Sequence, residues 1–349
     1  MKISKKLLFF IILLIILSTL TNFFNRTFTQ IVNTTTNEPV KASVLISDFS
    51  IPVASALMEN MKRVEKENPG TIEYTFFDGK GDQTIQNTQL DSILEEKNVD
   101  LIMLDVVNIQ NTEYSIDKIK ENNLPVMFFG NANIQSILSY QKACWAGQNP
   151  AEGGVLQGNI IVDAWNKSKI SLDKNYDNIL QYVMLQGSSN NIYAVARTNL
   201  SISTVNEADI STEEIATKIC NWKEDEAKDA ISNLFLKYGN KIEVIIANND
   251  AMAIGAIKAL QEYGYNVGNN LQEIAVIGFD GTPEAQDLIN KGIMTGTVLT
   301  NVYTAASNIY KIGLNLINNR NLVEGTNCTS DSSGQIITAP YEGVLINLD

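Results

Sequence analysis

Residues 241–260, KIEVIIANNDAMAIGAIKAL, most constrain what this chain can fold into. Ile242, Val244, Ile245 and Ile246 form a short, β-branched apolar run, the pattern of a strand buried on both faces. Asn248, Asn249 and Asp250 stop that run, because their side-chain oxygens accept from free backbone N–H groups at turns and helix starts. Ala251, Ile254, Ala256, Ile257 and Leu260 then recur at helical spacing. The unit is strand, polar corner, helix. Residues 274–279 begin a second copy, followed by Asp280-Gly281 and a helix opened by Pro283 and Glu284. Ligands bind at the carboxyl ends of strands in open α/β sheets. Two adjacent corners carrying amide and carboxylate groups are therefore a candidate polar site, although a single such corner serves equally well as a helix cap.

The same alternation runs along the rest of the chain. Strands are expected at 42–46, 72–77, 101–105 and 126–129, with helices at 53–67, 84–97 and 117–122 between them. A second run comes next: helix 153–167, strand 180–185, helix 194–200, a strand near Thr204, and helix 224–237. Regular β-α spacing predicts parallel, doubly wound sheets. Two runs in 349 residues predict an α/β protein of two such lobes. The formal net charge of −13 argues against a nucleic-acid partner. Histidine is absent, which removes imidazole bases, His-based triads and His metal sites. Cys144, Cys220 and Cys328 have no metal-like spacing. Neither G-x-G-x-x-G nor G-x-S-x-G stands after a strand, so no catalysis is expected.

Lys2, Lys5 and Lys6 precede an apolar run at 7–20 interrupted only by Ser18 and Thr19. Positive charge before such a run predicts export of the rest of the chain. Beyond the run there is no small-residue cleavage site and no lipid-attachment cysteine. Residues 1–30 thus read as a signal peptide or, preferably, an uncleaved signal anchor in contact with the membrane, and 31–40 as a polar linker. The remainder is expected to be extracytoplasmic.

Residues 173–181, DKNYDNILQ, carry oxygen-bearing side chains at Asp173, Asn175, Asp177 and Gln181, with the Ile179 carbonyl between the last two. This is the first part of an EF-hand-type calcium loop. It departs from that pattern at Asn178, where glycine is usual, and at Met184, where a bidentate glutamate is usual. An acidic loop without an ion has the same composition.

These stretches, with QNTQLDSILEEKNVDLIMLDVVN, LPVMFFGN, GIMTGTVLT and APYEGV, resemble the periplasmic glucose/galactose-binding proteins of sugar ABC transporters over residues 41–349. The resemblance implies two hinged lobes, 41–146 plus 302–335 and 147–301 plus 336–349. It implies Ca2+ held by Asp173, Asn175, Asp177, Ile179 and Gln181 and completed by Glu243. It also implies a monosaccharide site at Asp280, Asn249, Arg197 and Trp222, with Asn191, Asn131, Phe49 and Thr300 at less well matched positions. Ile51 and Val53 stand where the family has an acid and an aromatic, a loss that Asp48 and Phe49 are placed to offset. Gly130 replaces the asparagine after FF. Tyr193 departs from the family before Arg197. The resemblance leaves two roles open: delivery of a sugar to an ABC transporter permease, or sugar sensing on behalf of a partner such as a histidine kinase. A DNA-binding repressor of the same fold would need a basic headpiece, which this chain lacks.

Overall fold

The computed structural model describes residues 38–268 and 272–347. The expected leader and most of the linker lie outside the described residues. The described residues from Val40 onward form one compact unit.

The first lobe begins β1 (Val40–Ile46), α1 (Pro52–Glu67), β2 (Ile72–Asp78), α2 (Gln83–Glu96), β3 (Leu101–Leu104) and α3 (Thr112–Glu121). It continues through β4 (Val126–Phe129), the short α4 (Ile134–Ile137) and β5 (Ala143–Gln148). The chain then crosses into the second lobe. There it forms α5 (Pro150–Leu172), β6 (Leu180–Gln186), α6 (Ile192–Glu207), β7 (Thr212–Ile219), α7 (Glu224–Tyr238) and β8 (Val244–Ala247). After these come α8 (Asp250–Gln261), β9 (Ala275–Asp280), α9 (Pro283–Asn290) and β10 (Gly296–Leu299). It returns to the first lobe for α10 (Val302–Ile317), β11 (Thr329–Ser330) and β12 (Ile336–Ala339), and ends in the second with β13 (Gly343–Ile346).

The first sheet has seven strands in the order β11-β12-β5-β4-β3-β1-β2, and the second has six in the order β13-β10-β9-β8-β6-β7. Pairing is parallel except at β11–β12 and β10–β13. The central strands β3, β4 and β8 are buried at every residue, as helices on both faces require. The two doubly wound lobes match the expected α/β class.

The polar corners after strands act first as caps. Asp82, Asn191, Asn249 and Asn301 each accept from backbone N–H groups opening the next helix, and Pro52, Pro150 and Pro283 occupy first turns.

Two expectations change. The strand expected near Thr204 is instead the last turn of α6, with Val205 buried as its helical contact. The neighbouring strand, β7, comes later, at the sheet edge. Its sequence TEEIATKI is largely exposed, so it lacks the apolar signature of a central strand. The third crossing falls at 340–342 instead of at 335, because β12 pairs with β5 in the first sheet. The described residues contain no helix long and apolar enough to cross a membrane.

Candidate functional site

A cavity of about 220 Å³ opens between the lobes and is lined from both of them. The second lobe contributes Asn191, Tyr193, Arg197, Trp222 and Asp280. The first contributes Ser47, Asp105, Gly130 and Asn131 at strand ends, together with an apolar wall. Thr300 and Asn301 of the second crossing lie between them.

Asp280 ends β9 with φ +115°, a backbone conformation that non-glycine residues adopt only where the surroundings impose it. Burial raises its carboxyl well above the usual range; Arg197 opposes this, and the nearby charge of Asp250 adds to it. Asp250 itself points away from ligand chemistry, accepting from the Thr282 N–H and the Thr297 hydroxyl, both at 2.7 Å. Arg197 donates to the Asn248 carbonyl at 2.6 Å and lies over the Phe279 ring, 3.3 Å from its centroid. It stands 4.0 Å from Asp280 Oδ1, and its buried Nε has no hydrogen-bond partner among the described residues. Trp222 sits at φ +67° with its ring against the backbone of Gly187, where a Cβ would run into the indole. A left-handed bulky residue on a glycine seat is a strained arrangement of the kind found in binding sites.

Several expected ligand groups are already occupied. Asn249 is buried off the cavity wall: its Oδ1 accepts from Met252 N–H at 3.0 Å and its amide donates to the Trp222 carbonyl at 3.1 Å. It positions Trp222. Asn191 lines the cavity, but its oxygen caps α6 through Tyr193 and Ala194. The Thr300 hydroxyl bonds the Asp280 carbonyl at 2.9 Å. Asn131 donates to the carbonyls of Val106 and Asn190 and accepts from Ile192 N–H. Phe49 does not line the cavity; its ring packs against the first-lobe core and its N–H bonds Asp78. Asp48 turns back on Ser50.

The first-lobe acid is Asp105, which the sequence motifs do not single out. It follows β3 and accepts from Ser47 N–H and hydroxyl and from Asn131 N–H. Burial raises its carboxyl to about 6 against the pull of those bonds. Gly130 is the counterpart of this acid. At φ +65°, any Cβ there would lie 2.7 Å from Asp105 Oδ1. The rule that found Asp280, a polar residue at a strand's carboxyl end, applies to Asp105 as well.

Residues 42–321 match the family described as periplasmic binding protein domain. The chain is 33% identical over 287 residues to the D-galactose/methyl-galactoside binding periplasmic protein of Haemophilus influenzae, covering 81% of this chain and 83% of that one. The chain belongs to the periplasmic binding protein family. Solved structures of similar fold include an ABC transporter solute binding protein from Bacillus halodurans with bound myo-inositol. That structure has a TM-score of 0.71 at 21% identity, over 89% of this chain and 95% of that one. The binding protein of the arabinose ABC transporter from Shewanella, bound to L-arabinofuranose, gives 0.70 at 17% identity, over 88% and 92%.

In this periplasmic binding protein the 173–181 loop joins α5 to β6, away from the cleft. Glu243 is buried; its Oε1 accepts from Lys174 N–H at 2.7 Å and its Oε2 from Gln181 N–H at 3.0 Å. Burial raises its carboxyl, those two bonds oppose the shift, and the charges of Asp173 and Asp177 reinforce it. Asp173 accepts from Asp177 and Asn178 N–H. The donor set is all oxygen and carries excess negative charge, which suits a hard divalent cation. It is not a finished cage. Asn175 and Gln181 turn their amide N–H groups to Asp177, and among the described residues no three Asp, Glu, Cys or His side chains stand ready to hold an ion.

Proposed function

We propose that this protein is an extracytoplasmic receptor that closes on a neutral monosaccharide of the galactose or glucose class and presents it to the permease of an ABC transporter. One observation carries the reading: Arg197 and Asp280 stand 4.0 Å apart on the wall of the inter-lobe cavity that Trp222 also lines. Sugar hydroxyls both donate and accept, so adjacent hydroxyls answer both groups. The Trp222 ring supplies a platform for the apolar C–H face of the sugar. The galactose and methyl-galactoside named for the Haemophilus relative support this class, and the inositol and arabinofuranose named for the solved structures support a polyhydroxylated ring more broadly. Ca2+ is a structural ion in this reading, held by Asp173, Asn175, Asp177, Gln181, Glu243 and the Ile179 carbonyl. It offsets the converged carboxylates once the Asn175 and Gln181 amides rotate to present oxygen. No group here takes a catalytic part.

A second reading rests on the apolar run at 7–20 behind three lysines. A receptor held at the membrane by that segment would pass its closed state to a sensor kinase instead of a permease. Crosslinking in cells separates the two by which partner is captured.

The test of the binding site is titration calorimetry with hexoses and pentoses in the presence of calcium. At least one sugar is expected to bind at micromolar affinity or tighter, about −8 kcal/mol. Asp280→Ala removes a buried hydrogen-bonding group and leaves the sugar hydroxyl it served without a partner, a cost of about 1–3 kcal/mol that should weaken that sugar roughly ten- to a hundredfold. Silence from every sugar, or unchanged affinity in the variant, refutes the reading.

A further inference from the structure

The cavity does not end at its polar groups. It continues into the first lobe between α1 and α10, walled by Leu57, Ile309, Ile312 and Phe129 and by the short side chains of Ala54 and Ala305. Val302 and Ile312 both line it and stand ten residues apart on one helix. At the helical rise, those two positions are roughly 15 Å apart along α10. The polar groups Asp280 and Arg197 line the same cavity from the second lobe. Asn308 is a polar residue of the deep wall, and its amide is already bonded to Asn327. A sugar hydroxyl placed there would lose its water and find little besides the Asn308 oxygen to bond. An alkyl or aryl group would lose only unfavourable hydration. Ile51 and Val53 add to its apolar wall.

Resting on the sugar reading above, we propose that the ligand is a glycoside with an apolar aglycone. Its sugar faces Asp280, Arg197 and Trp222, and its aglycone is seated between α1 and α10. Ala54 and Ala305, one on each helix, leave the width that the aglycone fills. The occupant is amphiphilic because the cavity is: the second lobe offers buried polar groups that need hydroxyl partners, and the wall between α1 and α10 is mainly apolar.

The experiment is titration calorimetry of the full chain, with calcium, using the free sugars and the methyl and hexyl β-glycosides of galactose, glucose and xylose. Each methylene taken out of water is worth about fourfold in affinity. For the preferred sugar, the hexyl glycoside should bind at least about tenfold tighter than the methyl glycoside. Ala54→Leu and, separately, Ala305→Leu should remove most of that advantage and leave the methyl glycoside within about twofold of wild type. Melting curves identify any variant that fails to fold, and the other variant then decides. Equal affinity for methyl and hexyl forms in the wild type overturns the aglycone proposal and leaves the sugar site standing. A hexyl advantage that survives in a folded variant overturns it too, since the chain would then lie elsewhere. No binding by any free sugar or glycoside overturns both readings.

Discussion

Asp105 shows how much a single side chain decides in this cleft. Its carboxyl sits at about 6 in the folded protein because burial outweighs three donated hydrogen bonds. Its ordinary value is 3.8. Between these values the folded state binds the proton that the unfolded state has released, so stability falls as pH rises. The contribution is fully present below about pH 4 and gone above about pH 6, a loss on the order of 3 kcal/mol. Asp105→Asn keeps the shape and removes the titration. The difference in unfolding free energy between wild type and Asp105→Asn, measured by denaturant titration from pH 4 to 7, should therefore change through this window and be flat above it. A difference independent of pH would show that Asp105 titrates normally. The same residue shows a limit of sequence reading. Ile51 and Val53 advertise a lost acid, but the acid that lines the first-lobe wall of the cavity, Asp105, lies more than fifty positions away, after β3. Gly130 reads as a second loss, yet it is the space that Asp105 needs.

At the level of elements, the proposal that the 173–181 loop holds calcium gives the sharpest prediction. Glu243 reaches from the start of β8 to the backbone of the 173–181 loop, tying two neighbouring segments of the second lobe. An ion bound only by the native state at a hundred times its Kd adds about 2.7 kcal/mol, or roughly 5 °C in Tm for a chain of this size. Chelation should lower the wild-type Tm by about that much. Glu243→Ala should melt lower under both conditions, because two backbone donors lose their acceptor, and should show no difference between calcium and chelator. Identical wild-type curves with calcium and with chelator would exclude the site. Elements are legible wherever burial imposes a pattern: the all-apolar β8 and the 3.6-residue periodicity of α8 are plain in the sequence. They are illegible where burial is absent. Edge strand β7 shows TEEIATKI to solvent, so the pattern makes α6 too short and places the strand too early. The corners are legible as corners, but Asn249 and Asn301 are consumed as caps, and sequence alone does not separate a cap from a ligand.

At the scale of the molecule, the lobes are in contact across the cleft, and Asn131 is their latch. It belongs to the first lobe, yet its amide donates to the Asn190 carbonyl at 3.1 Å and accepts from Ile192 N–H at 3.1 Å, both in the second. Ile192 and Tyr193 pack beside it against the first-lobe core that contains Trp145. Opening the hinge would break these contacts while leaving each sheet intact, since three short crossings join the lobes. Two neutral hydrogen bonds at about 1 kcal/mol each bias the closed state by up to roughly thirtyfold. A ligand that needs the closed state binds with an apparent affinity reduced by the fraction that is closed. Asn131→Ala should therefore shift the ligand-free protein towards the open form and weaken sugar binding by about tenfold. Distances between dyes on the two lobes, measured by single-molecule fluorescence, should lengthen in the ligand-free variant and return to the wild-type value at saturating sugar. The resemblance in sequence gives Asn131 a different part, as a direct sugar contact. In that case affinity would fall with no change in the ligand-free distances, because a group that touches only the ligand has no effect on the hinge when the ligand is absent.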